Sequence, residues 1–135
     1  MKINSDFKDL LQIFVDEGVR FLVVGGYAVM KYTEPYYTKD LKIWIEPTIE
    51  NASRVLEVLR QFGAPTANLT VEDLTSPDLI YQIGVDPVRV DIMGAVPGLT
   101  FADAWKRRAG ADYDGVVAPI LSIEDIIAAK RSRKH

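Results

Sequence analysis

An α/β architecture of the α+β kind, a mixed β-sheet flanked by helices, follows from three features of this 135-residue chain. Short β-branched runs alternate with segments of helical periodicity, in the order αβαβαββαβα. One run, residues 40–46, alternates strictly in side-chain character, as a strand with two different faces does. Another, residues 21–24, is continuously apolar and stops at a Gly pair, which suits a buried strand entering a tight turn. At about 100 to 200 residues per domain, the length leaves room for a single domain, 1–135.

Each element has its own signal. Phe7, Leu10, Leu11, Phe14 and Val15 recur at helical spacing, with Asn4 or Ser5 as cap and Gly18 at the end. The apolar strand follows, and then residues 27–32 as a short helix, stopped by the step from Glu34 to Pro35 because the residue before proline avoids the helical region. In residues 40–46, Leu41, Ile43 and Ile45 point one way and Asp40, Lys42, Trp44 and Glu46 the other, so the strand carries one chemical face. Pro47 stops it. Residues 48–62 form a helix with Thr48 as cap, Ala52, Val55, Leu56 and Leu59 inward, and Gly63 past the end. Residues 64–76 are a polar connection with no assigned element.

Residues 79–84 and 88–93 pair as a hairpin through Val85, Asp86 and Pro87, with Val88, Val90 and Ile92 toward the core and Arg89 and Asp91 opposite. A helix over 100–109, a short strand within 113–121 and a last helix opened by Ser122, with Glu124 and Asp125 in its first turn, complete the chain. It contains no internal repeat and no low-complexity tract.

Composition narrows the chemistry. With 48% hydrophobic residues, 16 Lys and Arg against 19 Asp and Glu, and a net charge of −3, the chain has the composition of an ordinary globular protein. The absence of cysteine excludes disulfides, Cys-ligated zinc, iron–sulfur clusters and thiol catalysis, and the single histidine, His135, excludes Ser-His triads and His-rich metal sites. Carboxylates, hydroxyls and cations must carry any reaction. The longest uncharged stretches are 11 residues, short of the ~20 of a membrane helix, and the N-terminus has no apolar signal region. The expectation is a cytoplasmic protein without membrane contact. Lys130, Arg131, Arg133 and Lys134 crowd the end, leaving 12 basic against 19 acidic groups before them, a formal −7. So acidic a body argues against general nucleic-acid binding. The basic tail reads as a frayed, solvated end or as a contact to phosphate.

Three features converge on one place: the Gly25-Gly26 turn, Asp40 on the outward face of the next strand, and Asp91 on the outward face of a later one. A Gly-rich turn before a helix can offer N–H groups to phosphate, and carboxylates on neighbouring strands can hold Mg²⁺ together with substrate phosphates. Singly, such a Gly pair is a turn and such an Asp is a solvated surface residue. Trp105 with Phe101 and Ala104 reads as helical packing, and residues 106–108 as a solvated basic face or an aid in holding an RNA acceptor. Tyr27, Tyr32, Tyr36 and Tyr37, dense near the turn, either flank a base or pack beside the strands.

The order and context of these residues add a resemblance. Val24, Gly25, Gly26, Tyr27 and Ala28, then Thr38, Lys39, Asp40 and Leu41, then Val88, Arg89, Val90, Asp91 and Ile92, and finally Gly98, Leu99, Thr100, Phe101, Ala104, Trp105 and Arg108 resemble the minimal nucleotidyltransferase family of the DNA polymerase β-like superfamily. Within it they resemble the branch related to AbiEii-type toxins of bacterial toxin–antitoxin systems. The resemblance runs from about Phe21 to Lys130.

It implies the nucleotidyltransferase fold, NTP phosphates at the Gly-Gly turn, and three carboxylates around two Mg²⁺ (or Mn²⁺) ions, two from an Asp-x-Asp and one from a later strand. By position, Gly25 and Gly26 match the phosphate turn, Asp40 the first metal carboxylate and Asp91 the third. Thr38 of the same motif is expected at the nucleotide, as is Lys130, for which a solvated helix end is the alternative. The implied reaction transfers a nucleotide from NTP to an acceptor hydroxyl of RNA or protein. One metal lowers the pKa of the hydroxyl, a carboxylate takes its proton, and the other metal neutralises the departing pyrophosphate. An antitoxin or toxin is the implied partner.

The chain departs from the pattern where that chemistry is least tolerant. Lys42 stands at the second Asp of Asp-x-Asp, replacing a ligand by a cation, and two unit charges about 4 Å apart interact by about 4 kcal/mol at an effective dielectric of about 20. Lys42 is expected to suppress two-metal binding and to pair with Asp40 or Asp91 in the metal's place. Glu46, on the same face but ~13 Å along the strand, is too far to substitute. Tyr36 stands where the branch carries Arg, and the chain reaches His135 where relatives continue into a further helical segment. Two readings follow: a nucleotidyltransferase impaired by Lys42, or a catalytically silent regulatory or binding protein on the same fold.

Overall fold

The computed structural model describes residues 1–34, 38, 40–85 and 88–133. Its first helix, α1 (Ser5–Asp16), is capped as expected: the Asn4 side chain accepts the Asp6 N–H at 2.8 Å. Phe7, Leu10, Leu11 and Phe14 are buried, but Val15, read from the same spacing as a core residue, is 39% exposed. It lies at the edge of the apolar stripe. β1 (Phe21–Val24) is buried throughout and ends at Gly25, and α2 (Gly26–Val29) is shorter than the expected helix over 27–32. Pro35 and the aromatic pair Tyr36 and Tyr37 lie outside the described residues.

β2 (Asp40–Ile45) follows, and then α3 (Ile49–Phe62), with the Thr48 hydroxyl accepting the Asn51 N–H and Gly63 at the end. In the polar connection a 3-10 turn (Asp73–Thr75) buries Leu74. β3 (Ile80–Val85) and β4 (Val88–Met93) form the expected antiparallel hairpin; its turn at residues 86–87 lies outside the described residues.

The following stretch differs from expectation. α4 (Phe101–Lys106) ends three residues before Ala109, and two strands, β5 (Ala109–Tyr113) and β6 (Val116–Ile120), stand where one was read. Asp114 and Gly115 turn between them with φ of 58° and 99°, the positive values that a two-residue hairpin loop needs. α5 (Ile123–Ser132) closes the fold, with the Ser122 hydroxyl accepting the Asp125 N–H. The helix carries Lys130 and Arg131 within it, whereas Lys134 and His135 lie outside the described residues.

The six strands make one sheet in the order β3-β4-β2-β1-β6-β5. β1 runs antiparallel to β2 and parallel to β6, and β2 runs parallel to β4, so the sheet is mixed. On one face Val23, Leu41, Ile43 and Ile92 join the buried sides of α1 and α3. On the other, Leu22, Val24 and Trp44 pack against Val96, Phe101 and Ala129. Trp44, placed by alternation on the chemical face opposite Leu41, Ile43 and Ile45, is nonetheless 2% exposed, its ring 5.2 Å from that of Phe101. Alternation assigns a side chain to a face but does not say what covers that face.

Candidate functional site

Pairing register builds the site. Across β1, β2 and β4, Val24 lies opposite Lys42 and Lys42 opposite Asp91; two residues along, Asp40 lies opposite Arg89. Residues level with each other across a sheet point to the same face, and i and i+2 share a face along a strand. Asp40, Lys42, Arg89 and Asp91 therefore form a compact square of two acids and two bases on the face that also carries Trp44.

Within the square, Arg89 connects the acids. Its Nη2 donates to Asp40 Oδ2 at 2.6 Å, its Nε to Asp91 Oδ1 at 3.1 Å, and Nη2 again to Asp91 Oδ2 at 3.3 Å. Asp91 is 5% exposed. A buried carboxylate needs such a partner, and a planar guanidinium can serve two acids at once. This corrects the expectation that Lys42 would fill the space between them: the guanidinium of Arg89 does so, and among the described residues the Lys42 ammonium forms no ion pair. Lys42 lies instead along the backbone of the glycine turn. A Cβ built on Gly25 would sit 3.1 Å from Lys42 Cδ, and Gly25 has φ of 69°, so both space and backbone conformation favour glycine there.

The turn opens onto a cavity of about 240 Å³ bordered by Gly25, Gly26, Lys42, Val96, Lys130 and Arg133, among others. It lies where β1 passes into α2 and the neighbouring β6 into α5. The two helices cover opposite faces of the sheet, an arrangement that leaves a crevice at the strand ends. Apolar side chains such as Leu121 and Ala129 line its inner part. Its charged lining is three cations, Lys42, Lys130 and Arg133, with no acid among the described residues.

Of the residues singled out from sequence, Gly25, Gly26, Lys42 and Lys130 meet at this cavity. Asp40 and Asp91 do not line it; they stand behind Lys42 with Arg89. Thr38 is half-buried, and its carbonyl accepts a long 3.5 Å hydrogen bond from the Tyr27 hydroxyl. Tyr27 is packed edge-on between Phe7 and Tyr113, and the Tyr32 hydroxyl donates to the Leu121 carbonyl at 3.1 Å, so both are packing residues and not a base clamp. Arg133 and Arg89 were not singled out. Arg89 had a signal in the alternation that sets it beside Asp91; Arg133 had only its place four residues past Ala129, at the end of the last helix.

These residues do not fit a two-metal centre. Mg²⁺ prefers a near-octahedral set of oxygens, yet among the described residues no group of three or more acidic side chains is arranged to hold a metal ion. The two carboxylates that match the pattern already share the Arg89 guanidinium, and the Lys42 cation stands beside them. A metal bound between them would have to displace the guanidinium and face both cations.

No family model matches the chain, and no curated protein matches it. Among solved structures, it is similar to TM1012 from Thermotoga maritima, a crystal structure provisionally named as that of a nucleotidyltransferase. The TM-score is 0.65 at 18% identity, over 95% of this chain and 82% of that one. The two share a fold, which is the fold expected from the residues around Gly25, Asp40 and Asp91. No helix among the described residues is long and apolar enough to cross a membrane.

Proposed function

We propose that this chain binds a nucleoside triphosphate at the Gly25-Gly26 turn and that its nucleotidyl transfer is impaired. The observation that carries the reading is the cavity: an apolar interior and three cations beside a glycine turn, on the fold of a protein provisionally named a nucleotidyltransferase. Such a lining suits a ligand with a flat apolar part and a polyanionic part. The resemblance to the AbiEii-type branch supports an RNA or protein hydroxyl as acceptor and an antitoxin or toxin as partner. Transfer would join the acceptor oxygen to the α-phosphorus and release pyrophosphate, with the hydroxyl proton passing to a carboxylate. The Arg89 bridge between Asp40 and Asp91 favours the second reading, a catalytically silent regulator that keeps the pocket.

Label transfer from each α-labelled NTP, in Mg²⁺ or Mn²⁺, tests this with the chain as it stands and with Lys42→Asp. Binding of NTP without transfer is expected for the first, and transfer for the second. Failure of both to bind any NTP in calorimetry, with or without metal, would remove the nucleotide-site reading.

A further inference from the structure

We infer that this site takes its polyphosphate free of metal and that divalent cations oppose binding. The inference rests on the nucleotide-site reading above and specifies the form of the ligand. Where a two-metal site presents carboxylates to cations that in turn hold the phosphates, this cavity presents cations to the ligand directly. Lys42, Lys130 and Arg133 border it, and no acid does among the described residues. Behind Lys42 the remaining acids are occupied, Asp40 at 2.6 Å and Asp91 at 3.1 Å from the same guanidinium. Formal charge gives the preference. The square of Asp40, Lys42, Arg89 and Asp91 sums to zero, and Lys130 and Arg133 make the whole site positive. Free ATP, at about −4, is complementary to it, whereas its Mg²⁺ complex, at about −2, has lost half its charge and brings a cation toward Lys42.

Arg89 is a positioning residue in this arrangement. By holding both carboxylates it keeps them from drawing the Lys42 ammonium inward, which leaves Lys42 beside the turn where its stem runs along Gly25. Loss of Arg89 would leave the buried Asp91 without its guanidinium, so a variant there tests stability as well as binding. Lys42→Asp removes the cation beside the turn and adds a third carboxylate to the square, so that a divalent ion can compete with the Arg89 guanidinium, and it is the cleaner probe.

The test has two arms. In calorimetry with ATP at matched ionic strength, the unsubstituted chain is expected to bind about tenfold or more tightly in EDTA than in excess Mg²⁺. Inorganic tripolyphosphate is expected to follow the same order. Lys42→Asp is expected to reverse it, and Lys130→Ala with Arg133→Ala to weaken ATP in both conditions. In the second arm, Mn²⁺ alone is titrated and followed by electron paramagnetic resonance. No binding is expected for the unsubstituted chain, and binding for Lys42→Asp. ATP binding that requires Mg²⁺, or Mn²⁺ held by the unsubstituted chain, would overturn the inference and leave the nucleotide site standing. Absence of ATP binding in either condition would remove both. Thermal melting of each variant identifies any that fail to fold.

Discussion

Asn51 is 2% exposed at the start of α3, and its side-chain amide serves three backbone groups that flank β1 and β2. It accepts the Arg20 N–H at 2.8 Å and donates to the Arg20 and Glu46 carbonyls at 2.9 and 3.0 Å, tying the entry of β1 to the exit of β2. Asn51→Ala leaves the Arg20 N–H without a partner, while the Arg20 and Glu46 carbonyls keep the N–H groups of Glu46 and Thr48, and denaturant unfolding is expected to show a loss of about 1 to 2 kcal/mol. Tyr113 has a different role. Its buried hydroxyl donates to the Tyr27 carbonyl at 2.8 Å, and burial first, then the neighbouring Tyr27 and Tyr32, pushes the phenol well above its usual pKa. The unfolded phenol loses its proton near pH ~10 while the folded one keeps it. The associated stability is therefore complete below that pH and falls as pH rises through the folded value. Tyr113→Phe is expected to cost about 1 kcal/mol at neutral pH and to flatten the alkaline fall in melting temperature. Neither role was visible in the sequence, since both depend on contacts with distant parts of the chain. Asp40, Lys42 and Asp91 were visible as one face because period-two alternation is local. That Arg89 would take the metal's place, and Lys42 would not, depended on which side chain could reach two carboxylates across a parallel pair.

At the scale of elements, local signals were read well where a cap or a stop accompanied the periodicity. Asn4, Thr48 and Ser122 each accept the N–H expected of a cap, and α3 ends at Gly63. The missed strand, β5, is short and polar, with Gly110 and Asp112 among its five residues, and it lies directly after a helix. Its best signal was the Asp114-Gly115 pair, where the Asp112 carboxylate accepts the Gly115 N–H at 2.7 Å and holds the turn. At φ of 99° a branched side chain is strained, so Gly115→Val is expected to lower stability by about 1 to 2 kcal/mol in the same unfolding assay, and Gly115→Asn by less. The burial of Trp44 was illegible for another reason. A strand covered on both faces by separate helices shows an alternation of two interiors, one mostly aliphatic and one carrying the site, which in one dimension resembles interior against solvent.

For the molecule as a whole, net charge says less than its placement. A chain at −3 overall gathers Lys42, Lys130 and Arg133 around one cavity and neutralises the nearest acids internally, so an anion meets a locally positive site on an acidic protein. The order of the sheet has a separate consequence, in time. β1 lies inside the sheet, and its Val23 pairs with Ile120, 97 residues further along the chain. Until β6 docks, four apolar residues of β1 present an open edge of N–H and C=O groups, the kind of edge to which another chain can add a strand. Such non-local pairing slows folding, because the loop must close before the contact can reward it. A nascent or truncated chain lacking residues beyond about 116 would keep that edge exposed and tend to aggregate. Leu121 and α5 supply the last wall of the cavity, so the capacity to hold a ligand arises with the final strand, and its appearance during refolding would time the closure of the sheet.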